Sequence, residues 1–410
     1  TGSLEMKSSE RSPIRGNAFW RRGGRQSAYA AAAVLVITLV MAGCSVFSEL
    51  NPIKPTSIPA VVTPPSSLVT ATGTEPASSP TPASDANHLI LWLPPEFDPH
   101  SGTPAGDLLN ERLDAFINAH PGLTIEVRIK AVNGPGGLLD SLATTSAAAP
   151  AAIPSLVALP RGELETAALK GLIYPWNELA KASTLADLYP YASSLGKVQG
   201  MPYGLPFAGD ALVMVYRPNQ VGYAPKSWTE YTTREYPVLF PAGDAQALIT
   251  TQMLLSVSPE EHKPAELPPV DLESLKKAYL TLNEGTKNGT FPYWLAEYDS
   301  FEKGYQAFLE NRSNYAVVWV SSVIHQLPEN VALAPLPAIN AASFTLADGW
   351  MWAISDSSEE RRQITTALAE FLMDPEYLAS WTEAAHFLPT SKIILKQWQN
   401  QTDAGTINEV

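Results

Sequence analysis

MPYGLPFAGDALVMVYR, residues Met201–Arg217, divides into two parts with different physics. Pro202, Gly204 and Pro206, followed by Gly209, exclude a helix from Met201–Asp210 and predict extended chain with bends. Ala211–Tyr216 is an unbroken apolar run ending in an aromatic residue, and predicts a strand buried on both faces. Asp210 is the one charge at the junction. A lone acid at the mouth of a buried strand is costly unless it faces a wet cleft or meets a partner. A turn acid capping the strand fits the spacing equally well.

The chain before this stretch reads as strand, helix, strand. Leu89–Leu93 is a short apolar strand stopped by Pro94-Pro95. Thr103-Pro104 offers a helix start, Leu109, Leu113, Phe116 and Ile117 mark one face, and Pro121-Gly122 ends it. Leu123, Ile125, Val127 and Ile129 alternate with polar residues at the strand period. A third strand, Ser155–Leu159, runs into Pro160–Glu163 and a helix closed by Gly171. This order predicts a parallel sheet, and ligands of open α/β sheets sit beyond the carboxyl ends of the strands. Trp92–Glu96 and Pro160–Glu163 fall on that rim.

After Arg217 come Trp228, expected in a core, an apolar helix within Ala247–Val257, and a Pro-rich loop, Pro259–Pro269. Leu272–Leu282 predicts a helix with Leu272, Leu275, Tyr279 and Leu282 on its packed side. Phe301, Tyr305, Phe308 and Leu309 mark another helix before the strand Tyr315–Val320. Two helices, Ile364–Met373 and one opened by Asp374-Pro375-Glu376, lead to Phe387-Leu388-Pro389-Thr390.

Several of these segments, in this order, resemble the extracellular solute-binding proteins of ATP-driven sugar importers, the maltose-binding-protein-like class. Pro206–Arg217 resembles the family's first lobe-crossing strand, with Asp210 on the position of its cleft-facing acid. Ala224–Glu230 resembles its P-x-(S/T)-W-x-E element, and Phe387–Thr390 its closing signature. Thr345–Ile354 resembles the second crossing, where the family places a glycine (here Gly349) against the ligand and an aromatic (here Trp350) on it. The resemblance spans about residues 88–395. It implies an α/β, two-lobed periplasmic-binding-protein-like fold of type II, each lobe a sheet flanked by helices, with the ligand cleft between lobes. Lobe 1 would be 88–207 with the return segment 353–390, and lobe 2 would be 208–352 with 391–410. Family members continue further in lobe 2 after the closing signature, so either the sequence stops short or that lobe is reduced.

The first 87 residues read as address and tether. Met6 reads as the natural start. Five arginines (11, 15, 21, 22 and 25) precede the apolar run Ala28–Ala42, which is shorter than the ~20 residues of a spanning helix. Met41-Ala42-Gly43-Cys44 resembles a lipobox, which implies a signal peptide over 1–44 and acylation of Cys44, the sole cysteine. Residues 45–87 form a Pro/Ser/Thr-rich tether with eight prolines (52, 55, 59, 64, 65, 76, 80 and 82), too poor in apolar surface to fold alone.

The formal net charge is −14, which argues against nucleic acid and against an anionic membrane surface as partners. The six histidines show no metal-ligand spacing, and neither a G-x-S-x-G elbow nor a phosphate-cradling P-loop occurs. No cofactor, metal or catalytic residue is expected, although Glu96 with Asp210 would furnish a glycosidase pair. A binding site needs only a cleft, aromatic faces and hydrogen-bonding groups. Trp92, Tyr203, Trp294, Trp319 and Trp350 are the candidate faces; Asp210, Asp348, Glu96, Glu163 and Arg161 are the candidate polar partners. The resemblance implies a sugar or oligosaccharide ligand, permease subunits of an ABC importer as partners, and a monomer lipid-anchored to the outer face of the bacterial cytoplasmic membrane. A polyamine, an ester phosphate held by Arg161, and a sensor lipoprotein remain the competing readings.

Overall fold

Leu205–Tyr216 forms one continuous strand of 12 residues, and both halves of an eight-stranded sheet are built on it. This computed structural model describes residues 87–176, 187–257, 271–324, 327–340 and 343–398, all within Pro80–Val410. The leader, Cys44, the tether, Pro259–Pro269 and 399–410 lie outside the described residues.

The first half begins with β1 (His88–Leu93), α1 (Pro104–Ala119) and β2 (Thr124–Ile129), β1 and β2 running parallel. It continues with α2 (Leu138–Ala148), β3 (Leu156–Pro160) and α3 (Arg161–Leu169), β3 being parallel to β1. A short helix, α4 (Pro190–Leu195), precedes the long strand β4 (Leu205–Tyr216). The second half supplies β5 (Val238–Leu239), α5 (Leu248–Leu255), α6 (Leu272–Asn288), α7 (Phe301–Leu309), β6 (Tyr315–Trp319) and β7 (Ala332–Ala334). The chain returns along β8 (Ala347–Ile354) and ends in α8 (Glu359–Leu372), α9 (Pro375–Ala385) and α10 (Lys392–Gln397). The strand order is β2-β1-β3-β8-β4-β6-β5, with β7 also on β4.

The local chemistry explains these elements. Thr103 caps α1 by accepting from the Gly106 amide, and Leu109, Leu113 and Phe116 are its buried side. β1 is buried on both faces: Leu89, Leu91 and Leu93 join one core cluster, Ile90 and Trp92 the other. Trp228 is fully buried in the second half, its indole N–H donating to Gln252 Oε1 at 2.8 Å.

β4 starts six residues earlier than the proline content suggests. Between Trp350 and Met351 the pairing steps from Ala208 to Pro206, so Phe207 is the extra residue of a bulge. A proline beside a bulge costs little, because its missing donor falls where the ladder is already broken. β4 then changes partner: through Ala211 it lies antiparallel to β8, and from Leu212 antiparallel to β6.

Two expectations need correction. The buried side of α6 is Ser274, Ala278, Thr281 and Gly285, whereas Leu272 (76 % exposed), Leu275 and Tyr279 face outward. Small residues win there because the Phe291 ring lies where a side chain at position 285 would stand, 2.1 Å from the ideal Cβ. Residues 391–398 pack on the first half, not the second. The Trp398 side chain is 1 % exposed and donates to Thr382 Oγ1 of α9 at 3.1 Å, and α9 packs on α1.

Candidate functional site

A cleft of about 760 Å³ opens where β4 changes partner. Three chain segments run beneath it: β4 at Asp210, β8 at Asp348–Trp350, and the strand-like piece at Leu388, which exchanges backbone hydrogen bonds with Gly209 (2.8 and 2.7 Å). Pro160 and Glu163 reach it from the first half. Asp244, Ser300, Glu302, Trp319 and Ser321 reach it from the second.

Asp210 is buried and fully engaged. Its Oδ1 accepts from the Ala211 amide at 2.9 Å and the Ser321 amide at 3.1 Å, and its Oδ2 accepts from the Ser321 hydroxyl. Burial nonetheless pushes its pKa up to about 6, and the charge of Asp348 adds to the rise. Asp348 is its direct cross-strand neighbour. Like charges directly opposite repel. Burial raises Asp348 as well, opposed by the backbone amides of Gly349 and Arg161 and by the Arg161 charge. Glu163, in the first turn of α3, is lifted by burial to about 7, and its Oε2 is buried without a hydrogen-bond partner. Burial thus raises all three acids around one cleft, Asp210 to about 6 and Glu163 to about 7, a pattern typical of functional sites.

The aromatic wall comes from Trp350 and Trp319. Trp350 sits on β8 between Pro160 of β3 and Ala208 of β4. Its ring is braced edge-on by Phe97 at 4.9 Å, and Phe97 in turn meets Phe207, Trp381 and Phe387. Trp319 closes β6 and rests edge-on against Phe301 at 5.6 Å.

The family model described as bacterial extracellular solute-binding protein matches residues 111–406. The chain belongs to that family. Solved structures with the same fold include maltose-bound MalE3 of T. maritima, with 16 % identity, TM-score 0.59, and 78 % of this chain and 87 % of that one covered. The sugar-binding protein MalE of Xanthomonas citri gives 20 %, 0.60, and 78 % and 84 %. A cyclo/maltodextrin-binding protein in complex with maltotetraose gives 20 %, 0.61, and 79 % and 84 %. No curated protein matches the sequence. The two-lobed fold of these solute-binding proteins accounts for the division of the sheet at β4.

Six of the residues singled out in the sequence line the cleft of this solute-binding protein: Glu163, Asp210, Trp319, Asp348, Gly349 and Trp350. Five do not. Trp92 is 1 % exposed and belongs to the core beside Leu138 and Leu164, because strand alternation turns it onto a covered sheet face. Glu96 is exposed on a 3₁₀ turn whose next residue, Phe97, takes the inward place, so the glycosidase pair Glu96–Asp210 is not assembled. Arg161 pairs with Glu165 at 3.1 Å, which removes the one cation proposed for a phosphate. Tyr203 packs against the core and its carbonyl accepts from the Trp176 indole. Trp294 stacks edge-on with Tyr298 on the outside of the second half.

Gly349 also meets a packing need. A Cβ there would stand 2.5 Å from the Ala208 carbonyl oxygen, so the glycine lets β8 and β4 close on each other. Ser321, Ser300, Glu302 and Asp244 were missed. The rule that ligands sit past strand carboxyl ends finds Ser321 when it is applied to β6 as well as to β1 and β3.

A second cavity, about 730 Å³, lies on the first half beside α1 and α9. Its Arg112 is already committed to the Phe371 carbonyl at 2.6 and 3.1 Å and to Asp374 at 3.7 Å. It touches one lobe only and is the weaker site. Among the described residues no helix is long and apolar enough to cross a membrane.

Proposed function

We propose that this solute-binding protein takes a carbohydrate into the cleft at Asp210 and Trp350 and delivers it to the permease subunits of an ABC importer. The observation that carries the reading is the pairing of the Trp350 ring with the carboxylates of Asp210, Asp348 and Glu163 around one cleft reached from both lobes. Sugars present apolar ring faces and hydroxyl edges, which such a surface complements. The maltose and maltotetraose of the structural neighbours make α-glucans the first probes. A ligand touching both halves favours the closed arrangement of the lobes; moving a 1:99 equilibrium to 99:1 takes about 5.5 kcal/mol of differential affinity. Cys44 would anchor the chain by its acyl group to the outer face of the cytoplasmic membrane, with 45–87 as tether, the protein acting as a monomer.

Thermal unfolding against a panel of mono- and oligosaccharides tests this. A ligand at 100 times its Kd adds about 2.7 kcal/mol and raises Tm. The rise is expected with one sugar class and is lost in Asp210→Ala. A rise that survives Asp210→Ala contradicts the site; no rise with any sugar contradicts the ligand class.

A further inference from the structure

Six carboxylates border the cleft, Glu163, Asp210, Asp244, Asp299, Glu302 and Asp348, and no lysine, arginine or histidine does among the described residues. Some of this charge is answered locally. Lys303 holds Asp299 at 2.7 Å, and Asp244 accepts from the amides of Gln246 and Leu248 at 2.9 and 3.0 Å. Arg161 is felt by Asp348 from outside the lining, although its guanidinium pairs with Glu165. Glu163, Asp210 and Glu302 have no cationic partner among the described residues.

A neutral sugar supplies hydroxyl donors to such acids but no charge. Carboxylates gathered in a desolvated cleft stay costly to ionise until an opposite charge arrives. A metal ion does not fit that need, because no group of three or more acid, histidine or cysteine side chains is placed to hold one among the described residues. The acids come from both halves of the sheet, Glu163 from the first and Asp244, Asp299 and Glu302 from the second, with Asp210 and Asp348 on the strands between. The faces of Trp350 and Trp319 add a surface that attracts cations.

We propose that the carbohydrate taken by this cleft bears a protonated amine, its ammonium lying against Asp210 and Glu163 and its ring against Trp350. The proposal rests on the carbohydrate-binding reading above and narrows it to amino sugars. An ammonium in this position favours the ionised carboxylates, so binding drives protons off them and strengthens as pH rises from 5 until the ligand's own ammonium begins to lose its proton. Asp244, Asp299, Glu302 and Asp348 border the same space; Asp348 shifts the curve upward by raising Asp210, and Arg161, outside the lining, shifts it downward by lowering Asp348.

Calorimetric titration of the protein with four probes tests it: a glucosamine tetrasaccharide, its fully N-acetylated counterpart, maltotetraose and spermidine. The glucosamine oligomer is expected to bind at least about tenfold more tightly than its N-acetylated counterpart, with an observed enthalpy that varies with the buffer as protons are released. Glu163→Gln and Asp210→Asn are expected to shrink both the preference and the buffer dependence. N-acetylated or α-glucan oligomers binding as well as the amine overturns the amino-sugar proposal and leaves carbohydrate binding standing. Spermidine binding with no sugar bound overturns the carbohydrate reading and retains the charge. Silence with all four overturns both.

Discussion

Two buried aspartates of this molecule are handled in opposite ways. Asp356, 1 % exposed at the start of α8, meets Arg361 in an ion pair, with an Nη2–Oδ1 contact at 3.0 Å, and accepts from the Ser358 amide at 2.8 Å. Asp210, 8 % exposed, has amides and a hydroxyl but no cation, and faces a second acid across the strand pair. A structural acid carries its counter-charge within the fold. Glu163, Asp210 and Glu302 have no such cation among the described residues, and the proposed binding site rests on that difference. Burying charge without a partner is expensive, so the arrangement persists where a ligand supplies the compensation.

The largest effect expected from this contrast lies at the structural end. Arg361→Met leaves Asp356 buried and unpaired and should cost about 3–5 kcal/mol in denaturant unfolding. A loss below about 1 kcal/mol would erase the distinction between the two acids. At the cleft end, Trp350→Ala should reduce sugar affinity at least about tenfold with the fold retained, read by calorimetry and circular dichroism. Unchanged affinity would detach Trp350 from the site.

The smallest effect has a sign that separates the two kinds of acid. Folded Glu163 keeps its proton to about pH 7, against an ordinary value of 4.5. Between these values the folded chain binds more protons than the unfolded one, so stability falls as pH rises through that window. Glu163→Gln removes the penalty. Its unfolding free energy should exceed that of the parent at pH 8 by about 1 kcal/mol after allowance for solvent at the cleft, and match it near pH 4.5. A destabilised Glu163→Gln at pH 8 would mean the carboxylate is supported like Asp356.

The fold was legible in the sequence wherever a run of side chains decides burial alone. β1, β3, β6, α1 and the paired helices α8 and α9 follow directly from apolar period and caps. It was illegible where packing partners decide. The outward leucines of α6 obey the helical period, yet the position of Phe291 against Gly285 selects the opposite face. The start of β4 was hidden because a bulge at Phe207 makes Pro206 tolerable, and bulges depend on the opposing strand. The site followed the same rule. Asp210, Asp348 and Trp350 sit on the two crossing strands, and those strands carry strong local patterns. Trp92 was placed by the rim after β1 and Trp294 by its loop position, and neither placement says which way an aromatic points. Ser321, the residue that holds Asp210, has no local signal beyond its place after β6.

The central claim is that ligand enters the cleft at Asp210 and not the cavity beside Arg112. A crystal structure of the protein grown with the tightest-binding sugar of the panel tests this most directly. The account predicts the sugar ring against Trp350 with polar contacts to Asp210 and Glu163, and the Arg112 cavity without sugar. Sugar bound at Arg112 and Asp374, with the cleft lacking it, would contradict the account.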